Sequence, residues 1–338
     1  MTAPLSCIIG LSGLRLKKSE SLFLRDANPW GVILFARNVK SPDQLRKLTG
    51  DIRDAMGRNT LIFIDQEGGR VQRMRAPHWR AFPSGDAYAT VYRRDREKGR
   101  RACYLGHRLI ADDLRAVGIT SDCAPVLDLP QPGADPIISD RALGATVEDI
   151  VDMAHSAMAG LMSGGVSPVI KHIPGHGRAE VDSHKALPKI SASRKILEAS
   201  DFLPFRKLSD APMAMTAHAV YTHNSRSAVT ISRKSLTELI RAAIGFDGLL
   251  MTDDLDMKAL TGDLTKKTSR ALKAGCDIAL QCSGLLADSV KVAKGAEHLS
   301  GRSLGRAKVA ENCADYVTEF DRQAAEAEFD ELMATAST

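Results

Sequence analysis

Short apolar runs alternate with longer segments of helical periodicity along most of the chain. The apolar runs fall at residues 7–10, 31–35, 60–64, 124–127, 166–170, 213–216, 249–252 and 277–280. Each is of strand length, and several are apolar throughout, as expected of strands covered on both faces. Helical patterns lie between them, at 42–56, 98–117, 147–162, 194–208 and 234–244. Successive strand–helix units of this kind predict a parallel sheet. A count of eight predicts an α/β fold, a single (β/α)8 barrel. Residues from about 304 to 335 read as one or two amphipathic helices packed outside it. Without a linker rich in Pro, Gly or Ser, residues 1–338 are expected to form one domain.

Polar residues stand where such a barrel places its chemistry. Arg37 and Asn38 follow the second run, Asp65, Gln66 and Glu67 the third, and Asp128 the fourth. Lys171 and His172 follow the fifth, His218 the sixth, Asp253 and Asp254 the seventh. Active sites of (β/α)8 barrels form at the C-terminal ends of the strands. Six such interruptions at the same depth point to one shared site.

Bulk composition narrows the setting. Of 338 residues, 44% are hydrophobic and 26% charged, ordinary values for a globular protein. The net charge of +5 is small and its cations are dispersed, which argues against a nucleic-acid partner. No apolar run approaches the roughly 18 residues of a membrane span, and residues 1–6 do not resemble a secretory signal. Cys7, Cys103, Cys123, Cys276, Cys282 and Cys313 are scattered, mostly in apolar segments, and suit reduced core thiols. These features lead us to expect a cytoplasmic protein, with no membrane association and no cofactor; monomer and weak dimer both stay open.

Three segments carry candidate chemistry. The first is Lys171-His172-Ile173-Pro174-Gly175-His176-Gly177, followed closely by Asp182-Ser183-His184. An aspartate two residues from a histidine can orient the ring and select its tautomer, which suits proton transfer. The second is Thr252-Asp253-Asp254-Leu255-Asp256-Met257. Adjacent residues of a strand point to opposite faces, so one of Asp253 and Asp254 should face the barrel axis and the other be structural. The third runs from Asp65 to Arg73, where a carboxylate, paired glycines and arginines suit a polyhydroxylated ligand. His172, His176 and His184 could instead hold zinc, although Pro174 and Gly175 exclude a helical ligand pair. Otherwise His176 is expected to organise its loop by bonding to backbone.

Taken together, the segments GVILFARN (31–38), DQEGGRVQR (65–73), APVLD (124–128), KHIPGHG (171–177), DSH (182–184), Ala217-His218 and TDDLDM (252–257) resemble the family 3 glycoside hydrolases. The resemblance is strongest to bacterial cytoplasmic β-N-acetylglucosaminidases of cell-wall recycling. It implies a retaining exo-hydrolase acting on muropeptide fragments, with Asp253 as nucleophile and His184, oriented by Asp182, as acid and base. It also implies that Asp65, Arg73, Arg141, Lys171 and His172 bind the N-acetylglucosamine ring. From local sequence alone, Arg141 is equally a surface partner of Asp140.

Many β-glucosidases of that family draw their acid from a second domain. Only about sixty residues follow the last predicted strand here, so the acid should come from the barrel. Two positions depart from the family pattern, Asn224 in place of an aspartate and Val229 in place of a proline. Both are expected to shape the rim of the site. The competing readings are a metal-dependent hydrolase built on the histidine loop and a sugar-binding barrel without turnover.

Overall fold

A computed structural model describes residues 2–335. Eight parallel strands close into a barrel: β1 (Leu5–Gly10), β2 (Pro29–Leu34), β3 (Leu61–Ile64), β4 (Ser121–Asp122), β5 (Ser167–Ile173), β6 (Met213–Thr216), β7 (Leu249–Asp254) and β8 (Ile278–Gln281). They neighbour one another in chain order, and β8 returns to β1 with Cys7 opposite Ala279. The expected (β/α)8 architecture is the observed one.

Strand alternation divides the buried side chains into two layers. Ile33, Leu61, Phe63, Val169, Met213, Met215, Leu249, Met251, Ile278 and Leu280 pack together inside the barrel. Their neighbours Val32, Leu34, Ile62, Ile64, Ile170, Ala214 and Leu250 face outward against the helices. Both faces are therefore dry, which is why the strands read as continuous apolar runs.

The predicted boundaries shift in informative places. The fourth strand lies at Ser121–Asp122 rather than at 124–127; beyond it only Val126 bridges to Lys171. Strand β5 runs on through Lys171 and His172, which thus belong to the strand instead of following it. The helical segment 194–208 is two short helices, Arg194–Ala199 and Leu203–Lys207. Between them the Asp201 carboxylate turns inward to accept from the Arg178 Nε at 2.8 Å. Segment 234–244 begins with a turn of α-helix and continues as a wider π-helix, Leu236–Ile244.

The helices Gly301–Asn312 and Arg322–Ala334 close the chain. The second lies on the long helix Arg96–Ala116, with Phe329 buried against Tyr88 and Phe82 and Arg322 paired to Asp112 and Asp113. No helix among the described residues is long and apolar enough to cross a membrane.

Candidate active site

A cavity of about 190 Å³ opens at the C-terminal ends of the strands. Ile33, Met215 and Leu280, the uppermost inward side chains, form its floor. Its wall holds Asp65, Glu67, Arg73, Arg141, Lys171, His172, His176, His184, Asp253 and Asp254. Seven of the eight residues expected at the site line this cavity; the eighth, Asp182, holds His184 from behind.

One side of the cavity is a network of opposite charges. Asp65 accepts from Arg73 at 2.8 Å and from Lys171 at 3.1 Å. Lys171 also meets Glu67 at 2.6 Å, and Glu67 takes both guanidinium donors of Arg141 at 2.8 and 2.9 Å. Burial alone would raise the pKa of both carboxyls, but the adjacent cations outweigh it. Asp65 lies well below the usual range and Glu67 falls to about 2. The two carboxylates are ionised, and Lys171 and Arg141 are more firmly cationic than usual because of them. Arg141 therefore does not pair with Asp140, which bonds to Arg70 instead.

His172 enters from β5 with its Nδ1 2.6 Å from Asp128 Oδ2. The other oxygen of Asp128 accepts from the backbone N–H groups of His172 and His176. A carboxylate can only accept, so His172 carries its proton on Nδ1 and turns Nε2 outward. Lys171 and His172 are consecutive yet both face the cavity. Strict alternation forbids this, and the β5–β6 register slips between Lys171 and Ile173.

The same device acts on β7. Asp253 and Asp254 both line the cavity, contrary to the expectation that only one would face the axis. The β7–β8 register slips between Met251 and Asp254. Their environments differ. Burial disfavours the Asp253 charge, but His218, His172 and the Asp254 N–H at 2.8 Å hold its pKa below the usual value. Asp254 accepts from the backbone N–H of Asp256 and of Cys282, yet burial and the charges of Asp256 and Asp253 push it up to about 7. The two carboxyls thus differ in environment and not in facing.

The loop after β5 crosses the mouth. Gly177 packs its Cα on the Leu129 carbonyl, where any Cβ would collide. Farther along, the Ser183 carbonyl accepts from Ala259 N at 3.2 Å, tying the loop to the segment after β7. That tie holds His184 at the cavity, within electrostatic reach of Asp253. Asp182, buried, accepts from the backbone N and from the ring Nδ1 of His184, each at 2.8 Å. The His184 side chain is 65% exposed and lines the cavity.

Some expectations fail. His176 does not organise its loop through its ring: only its backbone is bonded, and both ring nitrogens are buried without a partner. Asn224 and Val229 do not shape the rim. Asn224 bonds Glu238 and Ser235 at the start of the π-helix, and Val229 is fully buried in the core. Zinc is left without a donor set, since no three His, Cys, Asp or Glu side chains among the described residues are grouped to hold a metal.

Glu67, Asp128 and His218 were visible only as polar residues after strands. His218 sits under β7, bonded to Thr230 and to the Asp254 carbonyl. Nothing local distinguished these three from caps; their partners are 74, 44 and 36 residues distant.

A (β/α)8 barrel with ionised carboxylates and an aspartate-held histidine around one strand-end cavity is built as a hydrolase of polyhydroxylated substrates. Comparison with known proteins makes the assignment specific. Residues 7–311 match the glycosyl hydrolase family 3 N terminal domain, and the chain belongs to that family. It is 39% identical over 280 residues to a beta-hexosaminidase of Alkalilimnicola ehrlichii, covering 82% of this chain and 80% of that protein. A beta-hexosaminidase of Bordetella avium is 35% identical over the same shares. The crystal structure of NagZ from Neisseria gonorrhoeae in complex with N-trifluoroacetyl-D-glucosamine superposes with a TM-score of 0.85 at 29% identity, covering 99% of this chain and 98% of that one. The protein is thus a glycoside hydrolase of the beta-hexosaminidase type, and the reading as a barrel without turnover is set aside.

Proposed function

We propose that the protein is a retaining exo-β-N-acetylglucosaminidase. The observation that carries this reading is the placement of Asp253 and the Asp182–His184 pair on one cavity, the first on β7 and the second on the loop tied beside it. The cavity is closed below by Ile33, Met215 and Leu280, so it accepts the end of a glycan rather than its middle.

The ring is held by the charge network. Asp65 accepts from hydroxyls, while Arg73, Lys171 and Arg141 donate to hydroxyl oxygens. Glu67 keeps Arg141 and Lys171 aimed, and His172, fixed by Asp128, offers its Nε2. Asp253, ionised, attacks the anomeric carbon from one side as the glycosidic bond breaks. From the other side, the Nε2–H of the protonated His184 gives its proton to the departing oxygen. Asp182 steadies the cation and leaves the neutral ring as the Nδ1–H tautomer. In the second step Nε2 of that ring takes a proton from water, which attacks the glycosyl–aspartate and frees Asp253 with net retention. Histidine thus replaces the second carboxylic acid of the usual pair and can change protonation state near neutrality.

The N-acetylglucosamine specificity is supported by the beta-hexosaminidase relatives and by the neighbour bound to an N-acylated glucosamine. Muropeptide fragments as substrate rest on the resemblance to cell-wall recycling enzymes. A cytoplasmic site of action is supported by six free cysteines, five of them buried. We take the whole chain as one catalytic unit. Chromogenic β-N-acetylglucosaminide, β-glucoside and β-xyloside, assayed side by side with proton NMR of the first product, test the reading. Preferred cleavage of the first with the β-anomer appearing initially is expected. An initial α-anomer, or preference for the glucoside, would overturn it.

A further inference from the structure

Of the buried histidines, His176 is the one with both ring nitrogens unspent. His107 uses Nδ1 on the Cys103 carbonyl, His172 uses Nδ1 on Asp128, and His218 uses both nitrogens. Both His176 nitrogens are buried without a hydrogen-bond partner, and the residue is 4% exposed. Its backbone is pinned on both sides, the N–H to Asp128 at 2.6 Å and the carbonyl to Ala179 N at 3.0 Å. The ring lies against that of His172, with centroids 5.8 Å apart, and forms part of the cavity wall. A buried polar group without partners is destabilising, so a fixed one lining a ligand cavity points to a partner supplied by the ligand.

The complement of the other side chains says what kind of partner. Asp65 and Glu67 only accept; Arg73, Lys171 and Arg141 only donate. His172 gives Nδ1 to Asp128, and His184 gives Nδ1 to Asp182 and keeps Nε2 for the proton transfer. Burial lowers the pKa of His176 to about 4, so the ring is neutral in ordinary buffers. One of its nitrogens then donates and the other accepts. A sugar hydroxyl, donor and acceptor in one group, can pair with whichever of the two it meets.

We infer that His176 is a further substrate-contacting residue, whose imidazole hydrogen-bonds a hydroxyl at C3, C4 or C6 of the sugar in the cavity. This rests on the hexosaminidase reading above. It makes His176 a specificity-determining group, distinct from the acid, the nucleophile and the charge network.

The test pairs variants with altered substrates. His176→Phe removes both hydrogen-bonding atoms at similar size, and His176→Gln keeps a donor and an acceptor. Each enzyme is assayed with aryl β-N-acetylglucosaminide and with its 3-, 4- and 6-deoxy forms. For His176→Phe the parent substrate should lose about tenfold in kcat/KM, the weight of one hydrogen bond. One deoxy substrate, about tenfold poorer with the wild type, should lose no further activity in the variant. His176→Gln should recover part of the parent rate.

Equal losses for every substrate would overturn the inference, because they would mean that His176 acts only by supporting His172 or the loop. So would a His176→Phe enzyme within twofold of wild type. If that variant fails to fold, the same cycle is read from His176→Gln, which should then weaken the coupling to one hydroxyl only. A wild type inactive on the N-acetylglucosaminide would instead sink the hexosaminidase reading. The cycle is then run on whichever glycoside is cleaved, with the same two outcomes.

Discussion

One oxygen of the Asp182 carboxylate holds His184 twice, through its backbone N–H and through ring Nδ1, each at 2.8 Å. Burial alone would raise the Asp182 pKa, but these two bonds keep it below the usual range, so the carboxylate is ionised and ready to balance an imidazolium. The ring cannot flip without losing a charge-assisted bond. Nε2 is thereby left as the ring nitrogen available for proton transfer. His184→Ala should therefore cost more with poor leaving groups than with good ones, since only the former need the proton. We expect losses of about 10²–10⁴-fold for an alkyl glycoside and far smaller ones for a dinitrophenyl glycoside. Equal losses across a leaving-group series would remove His184 from the acid role.

Asp253→Ala should lower turnover by at least about 10⁴-fold on every leaving group, as expected when a nucleophile is removed. Added azide should restore part of the rate to a small side chain at this position, giving a glycosyl azide of α configuration detectable by NMR. Substantial activity without azide would contradict the assignment of Asp253.

Glu67 has no direct chemical role in the scheme but joins Lys171 to Arg141. Glu67→Gln breaks two nearly buried ion pairs at once and leaves their cations less well matched. A loss of about 3 kcal/mol is expected, which lowers Tm by roughly 4 °C at this size. Calorimetry reads that change, and KM should rise with it. An unchanged Tm together with an unchanged KM would mean that Asp65 alone keeps the cations in place.

Asp122 gives a pH prediction of the opposite sign to the site carboxylates. Buried beneath Asp65 and Glu67, with one oxygen unpartnered, it is pushed up to about 7. The folded state therefore holds a proton that the unfolded chain releases near pH 4. The stabilisation from this group is complete below about pH 4 and is lost as the pH rises towards 7. Asp122→Asn should leave stability nearly unchanged at pH 4–5 and raise it by about 1–3 kcal/mol at pH 8. Denaturant unfolding at the two pH values measures this; a uniform effect at both would show that the carboxyl does not titrate in this window.

What the sequence determined by itself was whatever depends on local pattern. Strands buried on both faces must be apolar, so the barrel and every strand but the fourth were legible, the short polar pair Ser121–Asp122 having no apolar run to mark it. Polar residues ending those runs must lie at the rim, so Asp65, Lys171, His172 and Asp253 could be placed there without coordinates. Asp182 and His184 were legible as a pair because two residues are enough for one side chain to reach the other.

The tertiary structure decided everything that depends on which distant groups meet. Arg141 turned from Asp140 to Glu67 because folding brings the loop after β4 over the loop after β3, a proximity with no trace in nearby sequence. Asp253 and Asp254 share a cavity because pairing to β8 slips a register, which depends on the partner strand. Asn224 and Val229 left the rim, and His176 kept its nitrogens, through contacts fixed by packing. Local physics sets what a segment can become, while the ionisation and aim of each side chain follow from neighbours that only the closed barrel supplies.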